Sequence, residues 1–129
     1  MGPTRNLVVV FGDQLDADSA AFDGFDPRQD GVLMMEVRAE SEHVPSHKHR
    51  TALFLSAMRH FANAITDRGW RLRYTRLGDP ENTHTLQTEI VRACADLRPA
   101  CLVAVRPGEW RVLHMLEQAA HEAGVTLEI

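Results

Sequence analysis

A chain of 129 residues can bury one substantial core but is too short for two. Its 44% hydrophobic and 25% charged residues are those of an ordinary globular protein. The formal net charge of -4 argues against general attraction to a nucleic-acid backbone, which calls for a basic surface. The first apolar run, Leu7 to Phe11, is too short for a signal peptide and carries no cleavage pattern. No stretch approaches the roughly 20 apolar residues that span a bilayer, so a cytoplasmic location away from membranes is expected.

The chain opens with a strand-like run near 6–11, Asn6-Leu7-Val8-Val9-Val10-Phe11, followed by irregular chain or a short helical turn around 16–23. A second strand falls near 31–36. The spacing then predicts a long helix near 49–67, in which Leu55, Met58, Ala62 and Ile65 recur at helical intervals and should face a sheet. Phe54 and Phe61 form a second apolar stripe beside them. Gly69 is a C-cap candidate for this helix, and Gly124 for the last one. Between them come a strand near 70–75, a loop at Asp79-Pro80-Glu81-Asn82, and a helix near 84–96 that Thr83 or Thr85 could cap. A strand near 101–105, a helix near 110–123 and a strand near 125–129 complete the chain. Strands alternating with helices imply parallel pairing through right-handed crossovers. The expected fold is α/β, a three-layer Rossmann-like sandwich with a five-stranded parallel sheet of order 3-2-1-4-5, residues 1–129 forming a single domain.

In such a sheet ligands bind at the carboxyl edge, at the point where the strand order reverses, here between the first and fourth strands. The loops leaving those strands are Phe11-Gly12-Asp13-Gln14-Leu15 and Arg106-Pro107-Gly108-Glu109-Trp110, so two polar segments converge on one crevice. The loop after the second strand adds Glu40 and the segment from His43 to Arg50. A carboxylate accepts hydrogen bonds and a carboxamide both donates and accepts, so Asp13 and Gln14 suit the edge of a pyrimidinedione ring. For Asp13 a helix N-cap or Asx-turn is the alternative. Glu40, deeper in its loop, suits a polar anchor for the same ligand. Lys48 and Arg50 sit at a helix start, where their charge opposes the macrodipole, which points to service for a ligand or partner. Phe54 could lie over a planar ligand or belong to the core, and Trp110 could anchor its helix or wall the pocket. Glu109 has few purely structural reasons to occupy a switch-point loop.

Other chemistries fit less well. Neither a G-x-G-x-x-G fingerprint nor a Walker A pattern is present, which disfavours a glycine-loop nucleotide site. His43 and His47 would be a helical i, i+4 pair, but Pro45 lies between them, and with no H-E-x-x-H pattern a metal site is not expected. Glu36 and Glu40 would share a face if the strand continued, giving a possible acid and base pair, although carboxylates at strand exits are usually solvated. Cys94 and Cys101 read as buried free thiols. An iron–sulfur cluster takes four thiolates, more than this chain can supply.

Taken together, the GDQL segment, the E-x-x-x-E from Glu36 to Glu40, the SHK at Ser46 to Lys48, SAMRHFA from Ser56 and PGEWR from Pro107 resemble the amino-terminal domain of the photolyase/cryptochrome superfamily. The similarity runs from about Asn6 to Ile129 and is greatest to the bacterial branch of deoxyribodipyrimidine photolyase-related proteins, which carry an iron–sulfur cluster. The resemblance implies a flavoprotein that uses light for DNA repair or blue-light signalling, with FAD and the cluster in a C-terminal helical domain absent from this chain. Its parent would be a DNA photolyase, a lyase in which this domain alone is not catalytic. The α/β domain would hold a light-harvesting antenna, in this branch 6,7-dimethyl-8-ribityllumazine.

The residues carried over are Gly12, Asp13, Gln14, Leu15, Glu40, Lys48 and Phe54, with Glu109 and Trp110 placed as much by geometry. The implied partners are the C-terminal FAD domain and, through it, damaged DNA. The chain stops within the strand-like Val125-Thr126-Leu127-Glu128-Ile129, so it is expected to be a fragment that exposes an apolar patch and self-associates when isolated. The competing readings are a stand-alone nucleotide-binding or signalling domain and, behind it, a small hydrolase using Asp13, Glu40 and a histidine.

Overall fold

A computed structural model describes residues 4–11, 15, 22–37, 48–107 and 110–129, with residues 48–54 described through their backbone alone. Strands β1 (Asn6–Val9) and β2 (Gly31–Met35) precede helix α1 (Lys48–Asp67), and β3 (Arg71–Thr75) precedes α2 (Leu86–Leu97). Strand β4 (Cys101–Ala104), α3 (Trp110–Ala123) and β5 (Thr126–Glu128) follow. The five strands form one sheet in the order β3-β2-β1-β4-β5, and every pairing is parallel. This is the predicted Rossmann-like order, with the reversal between β1 and β4.

The two-residue period of each strand sorts its side chains onto two cores. Leu7, Val9, Leu33, Met35, Leu102 and Ala104 join Ile90, Leu116 and Ala119 on the face covered by α2 and α3. Val8, Val10, Val32 and Met34 meet Met58, Phe61, Ala62 and Ile65 of α1 on the other. Burial on both faces is why these strands read as continuous apolar runs rather than alternating ones. The stripe predicted for α1 faces the sheet as expected, with Ile65 fully buried and Leu55 packed at the margin.

Helix ends follow the glycines. After α1, Gly69 turns left-handed (φ 79°), its N–H donating to the Thr66 carbonyl and that of Trp70 to Ile65. Gly124 (φ 70°) does the same after α3, where Val125 N–H reaches the Ala120 carbonyl at 2.9 Å. Helix α2 ends without glycine: Arg98 itself takes the left-handed cap (φ 49°) and donates to the Cys94 carbonyl at 2.8 Å. At its start Thr85 is the cap, its hydroxyl accepting from Thr88 N–H at 3.2 Å. Among the described residues no helix is long and apolar enough to cross a membrane.

Candidate functional site

The parallel pairing of Val9 with Ala104 sets the carboxyl ends of β1 and β4 side by side. The chain leaving β1 is anchored at both ends: Phe11 is buried in the α2–α3 core, and Leu15 packs against the α1 core. Leaving β4, Val105 is half-buried, Arg106 exposed and Pro107 buried, and α3 then begins at Trp110. The residues flanking both polar loops thus stand at one edge of the sheet, beside the topological reversal. Gly12, Asp13, Gln14, Glu40 and Glu109 themselves lie outside the described residues, as do His43 and His47. Lys48 and Phe54 are placed in the first turns of α1 by their backbone, their side chains lying outside the description. Trp110 is 75% exposed, and its ring stacks on His114 (centroids 5.0 Å apart, planes 10° apart). Its ring thus lies on the surface of α3 and is not a buried helix anchor.

Directly behind this edge is a carboxylate whose strand-exit position alone would predict a solvated side chain. Glu36, the first residue past β2, is buried, and its side chain has no solvent exposure. Arg59 of α1 grips it with two bonds, Nε to Oε2 at 2.9 Å and NH2 to Oε1 at 3.0 Å. The Tyr74 hydroxyl also donates to Oε2, and Leu77 N–H donates to Oε1 at 2.9 Å. Its main chain is held too: Asn82 Nδ2 donates to the Glu36 carbonyl at 2.6 Å, and Glu36 N–H donates to Thr75 at 2.8 Å. Burial by itself would raise the pKa of Glu36, but the bonds from Arg59, Tyr74 and Leu77 outweigh it and hold the group below its usual range. Burial and the neighbouring carboxylate push the Tyr74 phenol upward. With both oxygens doubly engaged, Glu36 has no lone pair left for general-base work, which removes half of the acid–base pair considered from sequence. The signal was faint: an arginine beside the apolar stripe of α1 and a lone tyrosine in β3.

Two further carboxylates share this character. Asp30 has no side-chain exposure and accepts from Arg5 Nε (2.9 Å), Arg5 NH2 (2.6 Å), Asn6 N–H (3.1 Å) and Asp26 N–H (2.8 Å). Glu89, near the positive end of α2, accepts from Arg92 NH2 (2.6 Å), Thr83 N–H (3.0 Å) and Thr83 Oγ1 (2.7 Å). Burial opposes ionisation in both, yet bonds from Arg5 and Arg92 prevail, lowering Asp30 and taking Glu89 to about 2. A carboxylate whose folded pKa lies below its unfolded value adds stability above the unfolded pKa, and this is lost as pH falls through the folded one. The urea midpoint is therefore expected to hold from neutral pH to about pH 5 and to fall steadily below about pH 4. A midpoint unchanged down to about pH 2.5 would show that these groups carry no differential stability.

Both cysteines are free thiols, as expected, but only Cys94 is buried; Cys101 at the start of β4 is partly exposed. Burial pushes Cys94 up to about 11, and burial together with Glu128 raises Cys101, so neither is disposed to act as a thiolate ligand. A cleft of about 660 Å³ lies over β1, β4 and β5 on the α1 side, between Val8, Val103, Phe25 and Glu128. Arg106 connects its rim to the β4 exit.

A doubly wound parallel sheet in this strand order defines a Rossmann-like α/β domain. Comparison with known proteins gives the family: the model for deoxyribodipyrimidine photo-lyase-related proteins matches residues 8–129, and the chain belongs to that family. It is 42% identical over 123 residues to a protein of Agrobacterium fabrum named (6-4) photolyase. The alignment takes in 95% of this chain but 24% of that protein, so the chain spans about a quarter of the length of this relative.

Proposed function

We propose that this chain is the antenna-binding domain of a photolyase-like flavoprotein, holding 6,7-dimethyl-8-ribityllumazine in the crevice between the β1 and β4 exits. The observation that carries the reading is the adjacency of those two exits at the carboxyl edge, in a chain of this family. The residues present fit the pigment chemically. Asp13 and Gln14 would meet the polar edge of the ring, Glu40 and Lys48 the ring or the ribityl hydroxyls, and Phe54 its flat face, with Glu109 and Trp110 closing the far side. When bound, the pigment supplies light absorption and passes excitation to a flavin. This domain's own task is to bind and orient it.

In the parent protein the partner would be a C-terminal helical domain with FAD and an iron–sulfur cluster, and through it damaged DNA. Similarity to a protein named (6-4) photolyase favours that lesion class over the cyclobutane dimer.

The test is a titration of the purified chain with 6,7-dimethyl-8-ribityllumazine, followed by the pigment's fluorescence. Saturable binding is expected, and Glu40→Gln should weaken it about tenfold, as loss of one charge-assisted hydrogen bond would. Unchanged binding by that variant would remove Glu40 from the site, whereas absence of binding by the unaltered chain would end the antenna reading.

A further inference from the structure

Strand β4 reads Cys101-Leu102-Val103-Ala104 and runs on into Val105, an unbroken apolar stretch. Such a run marks a parallel strand covered on both faces. One face of β4 fits that description, with Leu102 and Ala104 buried beneath α2 and α3. The other does not. Cys101, Val103 and Val105 alternate onto the α1 side, and each is only partly buried. Among the described residues α1 packs on β1, β2 and β3, and its core reaches β4 only at Val103. What remains is the cleft of about 660 Å³, its floor apolar and its rim carrying Asp23, Arg106 and Glu128. An apolar floor inside a charged rim has the make-up of a packing surface.

We propose that this face seats a helix of the same polypeptide, formed by the residues that follow Ile129. The inference rests on the 129 residues being part of a longer chain, and not on the pigment reading. The curated relative is much the longer protein, since this chain covers 24% of it. Strand β5 delivers the chain to the spot: Glu128 and Ile129 both line the cleft, and the Ile129 side chain is 54% exposed. In a layered α/β domain the element after a strand turns back over one face of the sheet. Beside β5 the opposite face is already taken by α3, against whose core Leu127 packs. The size agrees as well. Cys101 to Val105 span about 13 Å, which two to three turns of helix would cover.

Cys101 reports on this face directly, its Sγ lying 3.8 Å from a Glu128 carboxylate oxygen at the cleft. Cys94 is buried in the opposite core and controls for unfolding. The experiment follows alkylation by iodoacetamide in the 129-residue chain and in the polypeptide continued beyond Ile129, with fragment-ion mass spectrometry separating the two thiols. Cys101 is expected to react about tenfold more slowly in the longer polypeptide, while Cys94 is slow in both. Val103→Thr keeps the shape of the side chain but sets a hydroxyl against the docked helix. It should restore about threefold of the lost reactivity in the longer polypeptide and leave the 129-residue chain unchanged. Rates for Cys101 that agree within about twofold would overturn the inference. A thiol already protected in the 129-residue chain would overturn it too: protection lost on dilution assigns the face to a second copy, and protection that persists assigns it to residues before Ile129. Protection untouched by Val103→Thr would put the covering element off the cleft, with the same consequence.

Discussion

Leu102→Ala is expected to destabilise the domain by about 3 kcal/mol, whereas Val103→Ala, one residue along the same strand, should cost less than about 1 kcal/mol. Leu102 is completely buried in β4, a strand paired on both sides, and points into the core beneath α2 and α3. Truncation there removes three carbons and leaves a cavity whose walls belong to rigid neighbours, so transfer and cavity terms add. Val103 faces the opposite side and lines the cleft beside Val8 and Phe25, where its side chain is only partly buried. In a domain of this size the Leu102 loss corresponds to a fall of roughly 10 °C in the unfolding midpoint. Urea titrations with unchanged m would measure both variants. Equal losses would mean that the open side of β4 is as well packed as the covered side.

The legibility of the chain divides along the same physical lines. Core strands buried on both faces leave an unmistakable apolar run, and Gly69 and Gly124 mark helix ends because a left-handed cap suits a residue without Cβ. Element order and strand order could therefore be read directly. Arg98 could not, since an arginine in the left-handed region has no sequence mark and is held there by its bond to Cys94. Thr83 and Thr85 were equal cap candidates: Thr85 caps α2, while Thr83 binds Glu89. The burial of Glu36 is hidden from sequence because its donors, Arg59 and Tyr74, are 23 and 38 residues away and become neighbours only when α1 and β3 pack on β2. The strand order expected from sequence sets the exits of β1 and β4 side by side, and their pairing agrees. How the side chains of those loops are oriented is something periodicity does not set.

Asp30→Ala is expected to cost about 3 kcal/mol, and most of that loss should come from the backbone rather than from the ion pair. Two of the four bonds Asp30 accepts come from main-chain N–H groups, Asn6 at the start of β1 and Asp26 in the turn before β2. Alanine offers neither an acceptor, and a donor buried without one forfeits its hydration with nothing in return. The Arg5 side chain, by contrast, is 45% exposed and can turn to water once its partner is gone. Arg5→Ala should therefore destabilise the fold much less than Asp30→Ala, and Asp30→Asn, which keeps one accepting oxygen, should fall between them. The pH profile separates the same contributions. Because the folded Asp30 carboxyl is held below its usual range, the Asp30→Asn variant should lose less stability than the unaltered chain as pH drops below about 4. Arg5→Ala proving as damaging as Asp30→Ala would locate the stabilisation in the charge pair, and the hold of Asp30 on the first strand would then be electrostatic rather than a matter of satisfied main-chain donors.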